Sequence, residues 1–282
     1  MPINKRISEL MPELFELDPP SVDGNDPLVY TGLALRVSEA HMLPGGTRIP
    51  SPKVQIPGIN LYGAFGGYCV LKEVATSSAK EFYRLLWTPA SEFPTWIGSC
   101  GFDDPFEAVL RSYAATRFGA TNVNNASMSA FVTLKDVVQL LKYGRLATEL
   151  KTSDVSSTPI TIPGDAPMQE AMRTMVSRNV RRLFLEGRGG EFVSDRSLIE
   201  FMFAPERLDK AREDPETWVD VKVSALATRL ALPIDSVPMA EAARVIGEKP
   251  DDCLLTEEGK VVTRWDMVMK PWKAEKLTEV AA

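Results

Sequence analysis

The chain has 282 residues, 44% of them hydrophobic and 25% charged, the usage of an ordinary globular protein with length for roughly two domains. A formal net charge of -6 argues against a general nucleic-acid coat, which needs a basic stripe to displace counterions. No apolar run approaches the roughly 20 residues that span a bilayer, so neither nucleic acid nor a membrane is an expected partner.

In chain order, Met1-Pro2-Ile3-Asn4-Lys5-Arg6 is followed by Glu9 and Glu13 and not by an apolar stretch. The expectation is no signal peptide and a cytoplasmic location. A strand follows at Leu14-Phe15-Glu16-Leu17, then a proline-opened helical run at Asp26-Pro27-Leu28-Val29, then the phrase Val74-Ala75-Thr76. The stretch from Leu43 to Gly67 is punctuated by Pro and Gly and reads as an insertion. Within it, Gly63-Ala64-Phe65-Gly66-Gly67 is a hairpin turn and not a phosphate loop, because no Lys-Ser/Thr follows. A connection from Thr88 to Pro94 leads on.

The second run opens at Asp104-Pro105-Phe106-Glu107, with Phe106, Val109, Leu110 and Tyr113 on one face. It reaches Phe131-Val132-Thr133, and a helix over Val137, Val138, Leu140 and Leu141 follows. After a connection from Tyr143 to Ser153 comes a strand at Pro159-Ile160-Thr161-Ile162. Ala166-Pro167-Met168-Gln169 then opens a helix whose buried face is Met168, Ala171, Met172, Met175 and Val176. Arg182-Leu183-Phe184-Leu185, a Gly187/Gly189/Gly190 turn and Glu191-Phe192-Val193-Ser194 read as a hairpin, and Leu198, Ile199, Phe201 and Met202 as a helix. Pro205 to Thr217 is charged, has no apolar periodicity and reads as a connection. The last copy runs from a strand at Leu230-Ala231-Leu232-Pro233 through Val237-Pro238-Met239-Ala240, with Met239, Ala242, Ala243 and Ile246 inward. It continues through Cys253-Leu254-Leu255 and a Glu257-Glu258-Gly259 turn to Val261-Val262-Thr263.

Four copies of one phrase thus end in Thr76, Thr133, Ser194 and Thr263, and three residues later stand Ala79, Asp136, Ser197 and Asp266. The interval from proline to hydroxyl is similar in the last three copies and about twenty residues longer in the first. Each unit reads strand, helix, strand, strand, helix. About 55 residues bury too little surface to stand alone, so pairing is expected.

This pattern resembles the CBS domain, named for cystathionine β-synthase. The third copy carries the likeness best, in Val155-Ser156-Ser157-Thr158-Pro159-Ile160-Thr161-Ile162, Val180-Arg181-Arg182-Leu183 and Glu191-Phe192-Val193-Ser194-Asp195-Arg196. The fourth is nearly as clear, the second recognisable and the first degenerate. The expected fold class is α/β (α+β), with four tandem repeats paired into two pseudo-twofold Bateman modules. The modules are residues 1–146, with repeats over 5–88 (carrying the insertion) and 92–146, and residues 147–282, with repeats over 150–205 and 220–275. This arrangement is similar in architecture to the gamma subunit of AMP-activated protein kinase.

The resemblance implies clefts between repeats that hold an adenosine-containing small molecule, an adenine nucleotide such as AMP, ADP or ATP acting as a regulatory ligand and not as a catalytic cofactor. It also implies that the hydroxyl and the acid three positions on face that ligand. The spacing has a rationale: Asp at the helix start can accept ribose hydroxyls, while the Thr hydroxyl and free helix amides can meet phosphate. Thr133/Asp136 and Thr263/Asp266 are the two full-strength sites. Ser194 has only Ser197 as its companion, and Thr76 only Ala79. Arg181 and Arg182 lie where the family often places basic residues near ligand phosphates. With Arg178 and Arg196 they make the most basic neighbourhood of the chain, suited to phosphate or simply a solvated surface cluster. Arg181, Arg182 and Arg196 join the candidate set. Ile160 and Leu232, on the strands leading into the third and fourth copies, complete the expected ligand-binding set.

Two other readings stay open. Thr-x-x-Asp can simply cap a helix, which makes the chain a ligand-free structural or oligomerisation module. An enzyme is the third, but the region from Leu43 to Gly67 and its flank offer Lys53, Lys72 and Glu73 without a convergent acid-base pair. The single His41 removes most metal and triad chemistry, so no metal site is expected. Cys69, Cys100 and Cys253 lie far apart and suit buried thiols in a reducing compartment. Trp96, Phe102, Phe106 and Trp265 could line a base pocket or pack in the core. Regulation would work by population shift, read by a protein partner or by a second copy in a homodimer.

Overall fold

The computed structural model of the protein describes residues 3–14, 21–23, 53–56, 59–62, 78–85, 87, 98–117, 119–126, 129–227, 229–247 and 253–280. Elements ahead of the second repeat are α1 (Ile7–Leu10), β1 (Ser21–Asp23), β2 (Lys53–Ile56), β3 (Ile59–Tyr62) and α2 (Ala79–Leu85). The second repeat comprises β4 (Gly98–Gly101), α3 (Glu107–Thr116), β5 (Ala120–Asn124), β6 (Ser129–Thr133) and α4 (Leu134–Lys142). After β7 (Leu146–Ala147) and α5 (Thr152–Val155), the third is β8 (Thr161–Ile162), α6 (Met168–Arg178), β9 (Arg182–Leu185), β10 (Glu191–Ser194) and α7 (Asp195–Met202). Helices α8 (Pro205–Glu213) and α9 (Pro215–Val219) and strand β11 (Arg229–Leu230) lead to the fourth. It comprises β12 (Leu232–Ile234), α10 (Met239–Gly247), β13 (Leu254–Thr256), β14 (Val261–Val262) and α11 (Arg264–Lys273), and β15 (Thr278–Glu279) follows.

The strands confirm the repeat through their direction. In each copy the first strand runs parallel to the second and the second antiparallel to the third: β1-β2-β3, β4-β5-β6, β8-β9-β10 and β12-β13-β14. A parallel step needs a crossover, and in the last three copies it is the helix α3, α6 or α10. The fold class is therefore α+β, built from four CBS-type repeats, as the sequence pattern predicts.

The chain divides into two compact units. The first takes Met1–Asp18, Trp96–Pro159 and Ala231–Ala282, and the second Pro19–Thr95 and Ile160–Leu230. Repeats 2 and 4 lie in the first unit and repeats 1 and 3 in the second. A shared core explains the first unit. Val137, Val138 and Leu141 of α4 bury with Ala242, Ala243 and Ile246 of α10 and with Val268 and Met269 of α11. In the second, Met168, Met172 and Met175 of α6 bury with Leu183, Val193, Leu198 and Met202.

Repeats 3 and 4 exchange their leading segments. Lys151 and Ser157, ahead of repeat 3, bridge to Pro238 and Val261 of repeat 4 within the first unit. Lys222 and Arg229, ahead of repeat 4, pair with Pro167 and Phe192 of repeat 3 within the second. Arg6 bridges to Pro105 of repeat 2 in the same manner. These bridges correct the expected role of the prolines. Pro167 is the extended N-cap of α6, with φ -64° and ψ 147°, and not its first helical residue. A residue without an N–H loses nothing at either position, and the extended one lets the chain pair before it coils.

Other expectations also change. Pro205 to Thr217 is not an irregular connection but carries α8 and the start of α9, each with proline in its first turn. Only Ala211 of α8 is fully buried, which is why no apolar period was visible. The strand expected from Leu230 to Pro233 breaks at Ala231: β11 pairs with β10, and β12 with β13. Strands β2 and β3 fall inside the supposed insertion from Leu43 to Gly67, and Tyr143 to Ser153 holds β7, paired with β15. The Phe15-Glu16-Leu17 strand, the Pro27 helix, Val74-Ala75-Thr76, the Gly63–Gly67 turn, His41, Cys69, Lys72, Glu73, Trp96 and the connection from Thr88 to Pro94 lie outside the described residues.

Candidate functional site

At the end of β6 the chain turns directly into α4, and Thr133 is the extended N-cap with φ -110° and ψ 166°. Its N–H and its hydroxyl donate to Asp136 Oδ2 at 2.8 and 2.9 Å. Asp136 is buried at 5% exposure, at the positive end of a nine-residue helix. The turn is set from across the sheet, where Leu134 N–H donates to Gly119 O at 2.9 Å. Gly119 has φ +64°, and a Cβ there would stand 2.4 Å from Leu134 Cδ1, so a glycine is required.

Repeat 4 reproduces the step with different surroundings. Thr263 N–H and hydroxyl donate to Asp266 Oδ2 at 2.9 and 2.7 Å, and Asp266 N–H returns to Thr263 Oγ1 at 3.3 Å. Here Ser157 and Lys270 hold the second carboxylate oxygen. Ser157 Oγ donates to Asp266 Oδ1 at 2.8 Å, and Lys270 Nζ lies 3.0 Å from the same oxygen. Lys270 also donates to Val155 O, Ser156 O and Ser157 Oγ at 2.6, 3.1 and 2.6 Å. The position equivalent to Lys270 in repeat 2 is Leu140, buried in the core. The two Thr-x-x-Asp steps are alike in backbone and differ four residues after the acid.

In repeat 3, Ser194 is fully buried and its Oγ accepts from Ser197 N–H at 3.1 Å, with Ser197 Oγ at 3.2 Å. Two of the predicted arginines are paired with carboxylates of the same repeat. Arg181 Nε donates to Asp195 Oδ2 at 2.5 Å, and Arg196 Nε to Glu200 Oε1 at 2.7 Å. Arg229 Nη2 lies 3.1 Å from Glu200 Oε2, so Glu200 serves two guanidinium groups. Arg182 stands opposite Ser194 in the β9–β10 register. Ile160 and Leu232 are both half-buried, and their strands enter different units. Ile160 O accepts from Phe184 N–H, whereas Leu232 N–H donates to Cys253 O.

Sequence reasoning missed Ser157, Lys270, Glu200, Arg229 and Asp195. Lys270 and Glu200 had a signal, since each lies four residues from its partner on a helix. Ser157 and Arg229 had none, because only the exchanged leading segments bring them in. By register they are equivalent, Ser157 opposite Val261 as Arg229 is opposite Phe192. Phe106 is fully buried in the core, and Phe102 and Trp265 pack against it. Among the described residues no group of His, Cys, Asp or Glu could hold a metal ion, and no helix is long and apolar enough to cross a membrane.

No protein-family model matches the chain, and no curated protein does. Among solved structures it is similar to MJ1225 from Methanocaldococcus jannaschii, described as a proposed archaeal homologue of g-AMPK. The identity is 10% and the TM-score 0.71, covering 95% of this chain and 99% of that one. An uncharacterised conserved protein from Pyrococcus horikoshii matches at 12% identity and TM-score 0.44 over 62% of this chain and 79% of that one. Staphylococcus aureus OpuCA matches at 13% and 0.28 over 43% and 97%. The likeness to MJ1225 is one of fold and extends over nearly all of both chains. The architecture is the four-repeat CBS arrangement, like that of the AMP-activated kinase gamma subunit.

Proposed function

We propose that the protein is a non-catalytic regulatory protein that binds an adenine nucleotide (AMP, ADP or ATP) at the Thr133/Asp136 step and relays its occupancy to a protein partner or a second copy. The observation that carries this reading is the convergence at that step. A buried carboxylate, a threonine hydroxyl and the N-terminal amides of a nine-residue helix meet where a strand ends. A carboxylate suits ribose hydroxyls, and helix amides suit phosphate. The fold shared with a protein described as a g-AMPK homologue supports the same reading.

The other predicted residues take graded roles in this proposal. Thr263/Asp266, with Leu232 on β12 of the same sheet, is the weaker nucleotide site because Ser157 and Lys270 tie its second carboxylate oxygen to the segment ahead of repeat 3. Ser194, Arg181, Arg182, Arg196 and Ile160 form the site of repeat 3, which lacks a ribose carboxylate. The free thiols of Cys100 and Cys253 suit a cytoplasmic setting.

A second reading is favoured by a specific observation: both Thr-x-x-Asp steps are capping boxes. In it the chain is a structural module, and these residues only hold helices, each box contributing about 1 kcal/mol. Calorimetric titration of the purified protein with AMP, ADP, ATP and S-adenosylmethionine separates the two. Saturable heat with an adenosine ligand is the expected result. No heat with any of them, together with no excess absorbance near 260 nm from co-purified nucleotide, would establish the structural reading.

A further inference from the structure

The sheet that ends in Thr133 carries a polar ladder with no part in either capping box. In β5, Thr121 and Val123 are fully buried, and Val123 joins Val132 in the core of the first unit. Alternation along the strand places Asn122 and Asn124 on the opposite face. The register sets Ala120 against Thr133, so Thr133 shares the face of Asn122. Asn124 Nδ2 donates to Ser99 Oγ at 2.7 Å, and Asn122 Nδ2 donates to Asn124 Oδ1 at 3.2 Å. That chain of bonds fixes the Asn122 amide. Its donor side is engaged within the protein and its carbonyl is not.

Asn122 is 6% exposed, and its Oδ1 is buried and accepts no hydrogen bond. A buried acceptor without a partner is rare in native proteins and calls for a missing donor. The side chain lies two residues along β5 from the partner of Thr133, about 7 Å. That separation is comparable to the span from the amino edge of a purine to its ribose.

We infer that Asn122 Oδ1 determines the base specificity of the Thr133/Asp136 site, accepting the exocyclic amino group of adenine and rejecting 6-oxopurines. The inference rests on the nucleotide reading above and names the part of the ligand that repeat 2 recognises. An amide carbonyl pairs with an amino donor. Facing a ring carbonyl it leaves two buried acceptors opposed, and the site discriminates by that mismatch.

The test is calorimetric titration of the full chain with AMP, IMP and purine riboside monophosphate, which lacks the six-amino group. Wild type is expected to bind AMP about tenfold or more tightly than either analogue. Asn122→Val is expected to reduce that preference to about twofold or less while its affinity for purine riboside monophosphate stays near wild type. Asn122→Ser serves as the second variant should the valine protein fail to fold. Equal wild-type affinity for AMP and purine riboside monophosphate overturns the inference without any variant and leaves the nucleotide reading standing. An unchanged preference in a folded Asn122 variant does the same. Binding of none of the three overturns both.

Discussion

Lys270 Nζ lies 3.0 Å from Asp266 Oδ1, and both groups also touch Ser157, 113 and 109 residues away in sequence. The pair joins the first turn of α11 to the segment that precedes repeat 3. It gives repeat 4 an internal cation at a place where repeat 2 has Leu140. In repeat 4 one helical turn thus ties the Thr-x-x-Asp step into a knot with Ser157 and Lys270.

Lys270→Met removes that cation and three further donor contacts while leaving Asp266 buried. The expected cost is about 1–3 kcal/mol in urea unfolding, moderated by the partial exposure of the lysine. Ser157→Ala costs about 1 kcal/mol alone and couples to Lys270→Met by at least about 0.5 kcal/mol in a double-mutant cycle. Additive effects would show that the contacts are independent and that no knot exists.

Glu200 holds Arg196 and Arg229 together, and Arg196 is only 8% exposed. Glu200→Ala deprives both guanidinium groups of this carboxylate and is expected to lower stability by about 1–3 kcal/mol. Glu200→Gln is expected to lose less, since it keeps one acceptor. A urea midpoint unmoved by either change contradicts the ion-pair assignment.

The Cys100 thiol is pushed up from 9.0 to about 12, first by burial and then by the charge of Asp104. The thiolate is the reactive form, so Cys100 is alkylated far more slowly at pH 8 than an unperturbed thiol. The native state holds this proton more tightly than the unfolded chain. Its contribution to stability is therefore complete below pH 9.0 and is lost as pH rises toward 12. Peptide-resolved mass spectrometry after iodoacetamide treatment checks the first point, and rapid labelling of Cys100 in folded protein would refute it.

The repeat itself was legible because periodicity and turn chemistry are local. Met168, Ala171, Met172 and Met175 bury as their spacing requires, and Gly187, Gly189 and Gly190 take the positive φ that their hairpin needs. What failed was non-local or masked by charge. Helix α8 turns a largely charged surface to solvent, so its sequence looks like a linker although Pro205 opens a helix. Leu230 and Leu232 look like one strand, yet the leading segment crosses from one unit to the other at Ala231. That same crossing hides Ser157 from Asp266 and Arg229 from Glu200. The candidate sites could be named as Thr-x-x-Asp pairs, but their inequality depends on contacts that no window of sequence contains. Asn122 gave no signal either, since an Asn in a strand marks a site only when its partners are known.

The central claim is that Asp136, and not Asp266, is the principal nucleotide carboxylate. Calorimetric titration of AMP, ADP and ATP into wild type, Asp136→Asn and Asp266→Asn tests it most directly, because asparagine keeps an acceptor for the N-cap amide while removing the charge. The prediction is binding of at least one of these nucleotides by wild type. Asp136→Asn weakens it about tenfold or more, and Asp266→Asn by less than about threefold. Binding undiminished in a folded Asp136→Asn protein, or no binding by wild type at all, would contradict the account.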